Sequence, residues 1–170
     1  MDLKEIRLLP DKPEGWLWWP AFEARVKNFC EKYTPNTDPV SLAWDLRQRF
    51  ITTPNFTGYW LVLDEKERPV AHMVSWLANT YAHNYIFVLQ AEADDKLKIT
   101  DAVERVCAGV DSWAKDLNKN LKPEHHINRA EMCTFRDAKV WERYLRQIGR
   151  SSVQLRSVIS FDLNVKDMVE

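Results

Sequence analysis

Apolar residues recur about every 3.6 positions in the first third of the chain, which predicts two amphipathic helices. The first covers residues 16–33, after a short strand at residues 4–9. The second follows Asp38, whose side chain suits an N-cap, with Pro39 in its first turn. The apolar stripes of the two helices are formed by Trp18, Phe22, Val26, Phe29 and Cys30, and by Leu42, Leu46 and Phe50.

After Gly58 the chain changes to runs of β-branched and aromatic residues that are typical of strands. Residues 59–63 and 70–77 form two such runs, and the polar segment between them indicates a hairpin. A third run at residues 85–90 predicts the next strand. Three consecutive strands therefore follow the two helices.

The second half of the chain returns to helical spacing. A long helix is predicted from about Thr100, where Asp101 and Glu104 form a capping box. An extended run at 126–134 and a helix at 138–148, closed by Gly149, come next. Alternation over residues 153–163 predicts a last strand. The element order is β-α-α-β-β-β-α-β-α-β, which indicates an α/β fold with a mixed, mostly antiparallel sheet in a single domain, residues 1–170.

The charge and the cysteine pattern of the chain narrow the range of possible functions. The chain has 24 basic and 25 acidic residues, a formal net charge of -1, so it lacks the basic footprint of a nucleic-acid-binding protein. Its three cysteines match no CxxC spacing, and His125 and His126 would point to opposite faces of a strand, so no metal site is expected. No apolar run is long enough to span a membrane, and a cytoplasmic location is predicted.

The element order resembles that of the GNAT N-acetyltransferase superfamily across nearly the whole chain. Two segments agree with it: residues 111–115 (DSWAK) at the end of the long helix, and residues 141–149 (WERYLRQIG), an aromatic-containing helix that ends in glycine. The chain looks most like the divergent GNAT-like proteins of tailed phages, which would place it in the host cytoplasm or the virion. The resemblance implies an acyl-CoA-dependent N-acyltransferase that transfers an acetyl group to an amine of a small molecule or a protein.

The same resemblance implies a site for acetyl-CoA between the strand at 85–90 and the long helix. In the family a loop similar to Q/R-x-x-G-x-G/A receives the pyrophosphate, whereas residues 90–100 contain no glycine, and Asp94 and Asp95 would repel phosphate. The segment is equally explained as a solvated loop that caps the helix. The implied cofactor-binding residues are Val88, Leu89 and Gln90 on the strand, and Lys96, Lys98, Ile99, Thr100 and Asp101 at the helix start.

Three residues are candidates for proton transfer in that reaction. Glu92 and His72 are the candidate general bases, and Tyr144 is the candidate acid that protonates the CoA thiolate. The family tyrosine lies four residues before the glycine and precedes phenylalanine, whereas Tyr144 lies five residues before Gly149 and Arg150 replaces the aromatic residue. The other interpretations are a core histidine, a solvated carboxylate and a core aromatic residue.

A second hypothesis is a non-catalytic GNAT-fold binding or structural module, such as a phage-particle or host-interaction protein. Eight tryptophans are many for one domain, and Trp16, Trp18 and Trp19 cannot all face the same sheet from one helix. These three residues would contact a protein partner, since large aromatic side chains concentrate at binding hot spots. Alternatively, this segment folds back as a lid that buries them.

Overall fold

The computed structural model describes residues 3–79, 84–94, 97, 99–132 and 138–150. Within these residues the chain forms a mixed α/β fold with a five-stranded, mostly antiparallel sheet flanked by helices. A short 3₁₀ helix, Pro123–His125, precedes the fifth strand. The elements are β1 (Lys4–Arg7), α1 (Pro13–Tyr33), α2 (Pro39–Thr52), β2 (Thr57–Leu63), β3 (Pro69–Asn79), β4 (Asn84–Ala93), α3 (Ile99–Asn118), β5 (Ala130–Met132) and α4 (Ala138–Gln147).

The strands lie in the order β1-β2-β3-β4-β5, with antiparallel pairs from β1 to β4 and a parallel pair between β4 and β5. The predicted hairpin between β2 and β3 is confirmed. Its turn is closed by Asp64, whose carboxylate accepts the backbone N–H groups of Lys66 and Arg68 at 2.9 Å each. The Arg68 guanidinium lowers the pKa of this carboxyl to about 2.

Helices cover both faces of the sheet. The core under α1 and α2 contains Trp19, Phe22 and Phe50, which pack on strand residues such as Tyr59 and Leu61. The core under α3 is built from Trp60, Met73, Ile86, Val88, Trp113 and Ile127. Because successive strand residues point to opposite faces, Tyr59 and Trp60 contribute to different cores.

Two predicted helix ends are confirmed by their hydrogen bonds. Asp38 caps α2, because its carboxylate accepts the backbone N–H groups of Val40 and Ser41 at 3.3 and 3.0 Å. Gly149 follows α4 with a φ of 74°, and the next residue, Arg150, donates its N–H to the carbonyl of Leu145 at 2.8 Å. This is the Schellman arrangement, in which a left-handed residue after the helix favours glycine.

Several boundaries differ from the prediction. The helix α1 begins three residues earlier than expected, at Pro13, because proline suits the first turn of a helix. The strand β4 continues beyond Gln90 to Ala93, since β3 pairs with it as far as Ala71 opposite Ala93. The long helix begins at Ile99, and only residues 130–132 of the extended run are a strand. The predicted last strand, 153–163, lies outside the described residues.

Candidate active site

The strand β4 contains a bulge at Leu89. In the pairing with β3, Val88 lies opposite Ser75 and Gln90 lies opposite Val74, so Leu89 is an extra residue. A bulge places two successive side chains on one face of the sheet and leaves the extra residue outside the regular ladder. Accordingly, Leu89 packs on the α1 core, and the Gln90 amide lies 3.4 Å from the Cys30 sulfur of α1.

The described pairing of β4 with β5 lies next to the bulge. Within the described residues, β5 pairs with Ile86, Phe87 and Val88, and β4 continues to Ala93. The bulge at Leu89 thus follows the last described pair, Val88 with Met132, and lies at the position that the sequence predicted for the cofactor.

The second half of β4 makes polar contacts with α1 instead. The Glu92 carboxylate lies 3.3 Å from the Lys32 ammonium, and the Asp94 carboxylate lies 2.9 Å from the Arg25 guanidinium. Together with the contact between Gln90 and Cys30, these bonds link Gln90 and Glu92 of β4, and Asp94 directly after it, to one helix.

His72 lies in the core, where its side chain is 1% exposed. Its Nε2 atom is 3.4 Å from the Gln90 side-chain oxygen, and its Nδ1 atom is buried without a hydrogen-bond partner. Burial, aided by the positive charge of Arg25, lowers the pKa of His72 to about 3. The structure therefore brings His72 next to the bulge as a neutral group that solvent does not reach.

Glu92 is the more accessible of the two candidate bases. It lies directly opposite His72 in the pairing of β3 with β4, on the part of β4 that follows the bulge. Its side chain is 13% exposed, and its carboxylate contacts Lys32 of α1.

The start of α3 lies just after β4, as the resemblance implied. Ile99, Thr100 and Asp101 form its first turn, and the negative charge of Asp101 interacts favourably with the helix dipole. Lys96 and Lys98 lie outside the described residues. The structure changes the role of Asp94, because its carboxylate pairs with Arg25 and is not the free charge that was expected to repel phosphate.

Tyr144 lies on α4, which packs against α3. Its side chain is half-buried, and the Arg143 guanidinium lies 5.4 Å from the centre of its ring. The end of α4 is held to α3 by Arg150, whose guanidinium donates two hydrogen bonds to the Asp111 carboxylate. The Arg150 that replaces the family aromatic residue thus has a structural role.

The three clustered tryptophans divide between core and surface. Trp19 is buried and stacks on Phe50 with ring centroids 4.4 Å apart, whereas Trp18 is half-buried. Trp16 is 40% exposed and donates its indole N–H to the carbonyl of Pro10 at 2.9 Å. Trp16 and Trp19 line an open cavity of about 320 Å³ between α1 and α2, together with Pro20, Glu23, Ala24, Lys27 and Arg47.

Sequence reasoning missed two features of these helices. Val40 and Trp44 of α2 are exposed on one side of the helix, with exposed fractions of 64% and 65%. Their four-residue spacing was the only sequence signal for this shared side. Arg25 was also missed. Its position in α1, next to the core-facing Phe22 and Val26, is unusual for a charged residue and was the available signal.

Two negative findings apply to the described part of the chain. It contains no cluster of three or more histidine, cysteine, aspartate or glutamate side chains that could hold a metal ion. None of its helices combines the length and apolar character that crossing a membrane requires.

No protein-family model matches the chain, and no curated protein matches it in sequence. Solved structures match it over nearly the full length. One is a probable acetyltransferase, with a TM-score of 0.65 and 13% identity over 95% of this chain and 98% of that chain. Another is the aminoglycoside 6'-N-acetyltransferase AAC(6')-Ih from Acinetobacter baumannii, with a TM-score of 0.63 and 11% identity over 96% and 99%.

A third similar structure is AAC(6')-Iy in complex with the bisubstrate analogue CoA-S-monomethyl-acetylneamine. It has a TM-score of 0.66 and 5% identity, over 96% of this chain and 99% of that chain. The described chain therefore has the fold of the GNAT acetyltransferases, as the sequence resemblance predicted. Its likeness to phage proteins stays a prediction.

Proposed function

We propose that this chain is an acyl-CoA-dependent N-acyltransferase that transfers an acetyl group to the amine of a small molecule. The observation that carries the proposal is the bulge at Leu89, next to the last described pair of β4 with β5. Backbone N–H and C=O groups outside a ladder are suited to bind the amide-rich pantetheine chain of CoA. Neighbours of the same fold include an acetyltransferase in complex with CoA.

The bulge at Leu89 fits the pantetheine chain of a CoA thioester. The roles of the other site residues are assigned relative to this bulge. Val88, Leu89 and Gln90 would hold the pantetheine chain through their backbone. The first turn of α3, with Ile99, Thr100 and Asp101, would receive the pyrophosphate, and Lys96 and Lys98 would add positive charge. When bound, acetyl-CoA supplies the activated acyl group.

We assign the general base to Glu92 rather than to His72. A histidine with a pKa near 3 and almost no exposure is poorly suited to exchange protons with a substrate near neutral pH. The Glu92 side chain is 13% exposed, so its carboxylate is the more accessible of the two candidate bases. In this assignment Glu92 removes the amine proton, and Tyr144 returns a proton to the sulfur.

The first test of the proposal is cofactor binding. Titration calorimetry with acetyl-CoA should give measurable heat, and millimolar acetyl-CoA should raise the thermal midpoint, because a ligand that binds only the folded state stabilises it. ATP at the same concentration controls for general phosphate binding. Absence of both heat and thermal stabilisation with acetyl-CoA would rule the proposal out.

The second test is catalysis. Release of the CoA thiol should be followed with three kinds of acceptor: an aminoglycoside, a polyamine and a lysine peptide. We expect Glu92→Gln to lower kcat by about 10²- to 10⁴-fold, the usual contribution of a general base. Glu31→Gln removes an exposed carboxylate near the end of α1 and serves as the control. Equal rates for the two variants would contradict the assignment of Glu92.

The alternative function is a non-catalytic binding or structural module with the GNAT fold. The observation that favours it is the exposure of apolar side chains on α2, above all Val40 and Trp44. The tryptophans predicted to contact a protein partner contribute less, since Trp19 is buried and Trp18 is half-buried. If acetyl-CoA does not bind, this alternative becomes the better explanation. The cytoplasmic or virion location stays a prediction in either case.

A further inference from the structure

We propose that Arg25 and Asp94 form a positioning pair that holds the backbone of Asp94 and Leu97, between β4 and α3, for cofactor binding. The inference rests on the proposed function and concerns how these two residues are held in place without a glycine loop. In this chain a long-range ion pair from α1 would fix the backbone that receives the pyrophosphate.

The contacts of Arg25 connect three parts of the fold. Its guanidinium donates to the backbone carbonyls of Pro69 and Val70 at 3.0 and 3.4 Å, which anchors it on the start of β3. The same group pairs with Asp94, the residue that follows β4. Only 15% of the Arg25 side chain is exposed, so its geometry is set by packing as well as by charge.

Asp94 is also hydrogen-bonded through its backbone N–H and carbonyl groups. Its backbone N–H donates to the carbonyl of Val70 at 2.8 Å, and its own carbonyl accepts the N–H of Leu97 at 2.9 Å. Leu97 lies two residues before the start of α3 and packs on the core formed by Leu3, Val62, Val70 and Ala71. The carboxylate and backbone of Asp94 and the backbone N–H of Leu97 are therefore held together.

The ion pair reduces the repulsion that Asp94 would exert on a phosphate. Paired with Arg25 at 2.9 Å, the carboxylate contributes less net negative charge near the start of α3. Lys32 lies seven residues after Arg25, on the same side of α1, and pairs with Glu92. Two cations of one helix thus pair with Glu92 near the end of β4 and with Asp94 directly after it.

The test is Asp94→Asn, which removes the charge and keeps the size of the side chain. We expect the Kd for CoA to rise about two- to fivefold, the range that a partly exposed ion pair supports, while kcat at saturating acetyl-CoA changes less than twofold. Hydrogen exchange at residues 91–97 should become faster. Asp94→Glu should recover most of the affinity, because it restores the charge.

Asp45→Asn is the matched control. Asp45 pairs with Arg49 on α2 at 2.8 Å, and its carboxylate is 48% exposed, the same fraction as that of Asp94. The control should leave the Kd for CoA and the exchange of residues 91–97 unchanged. Arg25→Lys adds a second variant that keeps the charge and loses the two-carbonyl anchor, and it should fall between wild type and Asp94→Asn in affinity.

The outcomes separate this inference from the proposed function. If the wild-type protein binds CoA and Asp94→Asn binds it equally well, the positioning role is wrong and the proposed function stands. A loss of kcat with unchanged Kd would also overturn the positioning role. If the wild-type protein does not bind CoA, the proposed function fails, and this inference fails with it.

Discussion

At the scale of single residues, His72 shows how its surroundings set the chemistry of a polar side chain. The rings of Phe22 and Phe29 stand edge-on to its imidazole, with centroids 6.2 and 6.0 Å away. Water is excluded, and the nearby Arg25 charge adds to the cost of protonation, so the pKa falls to about 3. The neutral ring instead supports Gln90 beside the bulge.

This burial predicts a loss of stability in acid. Between pH 6.5 and about 3 the unfolded chain protonates His72 while the folded chain does not, so the free energy of unfolding falls as pH falls through that window. At pH 5.0 the contribution of His72 is roughly 2 kcal/mol smaller than at pH 7.5. Urea unfolding at both values should show a smaller difference for His72→Leu than for wild type. Equal differences would contradict the buried, neutral state.

Glu5 has the opposite pH dependence. It lies on β1 beneath α3, and burial raises the pKa of its carboxyl to about 7, although the Arg105 charge acts the other way. Between pH 4.5 and 7 the folded chain retains a proton on Glu5 that the unfolded chain releases, so stability from this group falls as pH rises.

Glu5→Gln should therefore remove that fall in stability. We expect the variant to lose less unfolding free energy than wild type between pH 5.0 and pH 8.0, measured by urea denaturation monitored by circular dichroism. Because His72 acts in the reverse direction, the comparison must be made between variant and wild type at each pH. A variant that follows the wild-type curve would show that Glu5 is ionised in the folded protein near neutral pH.

At the scale of elements, α3 approaches the sheet closely at Gly109. A methyl group at this position would lie 2.1 Å from the Glu5 carboxylate oxygen and 2.8 Å from the indole nitrogen of Trp60. Trp60 in turn meets Trp113 of α3 edge-on, at 5.5 Å between ring centroids. The absence of a side chain at Gly109 thus sets the distance between α3 and the first two strands.

Gly109→Ala tests this contact. Alanine favours a helix over glycine by about 1 kcal/mol, but the overlap with a buried indole should outweigh that gain and destabilise the fold by about 1–3 kcal/mol. Because Glu5 is one of the two groups contacted, the cost should be smaller in a Glu5→Ala background, as a double-mutant cycle of unfolding free energies would report. A neutral or stabilising Gly109→Ala would mean that α3 lies further from the sheet.

The elements that sequence predicted well are those with local causes. Asp38 and Gly149 mark helix ends through bonds to residues a few positions away, and the β2–β3 hairpin closes through its own turn. The bulge at Leu89 and the pair of Arg25 with Asp94 depend on the register of distant strands and helices, which no local pattern contains. The sequence therefore predicted a location for the site, which stays a prediction, whereas the bulge and the ion pair could not be predicted from it.

At the scale of the whole molecule, one sheet connects the core under α1 and α2 with the core under α3. These two cores share no helix. Trp19 reports on the core under α1 and α2, whereas Trp60 and Trp113 report on the core under α3. Each strand contributes side chains to both faces, so the loss of either core exposes the other side of the same strands. This arrangement favours cooperative unfolding of the described residues, and the single domain 1–170 stays a prediction.

The single-domain prediction can be tested by comparing tryptophan fluorescence with circular dichroism during unfolding, in two variants that each lack a tryptophan of one core. In Trp113→Phe the fluorescence loses a reporter under α3, and in Trp19→Phe it loses one under α1 and α2. If the chain unfolds as one unit, both variants should show a fluorescence midpoint that coincides with their own midpoint by far-ultraviolet circular dichroism. Acetyl-CoA should then raise both midpoints of each variant together, because its proposed site on β4 lies between the two cores. Separate fluorescence and dichroism transitions in either variant would show that the two faces of the sheet unfold independently.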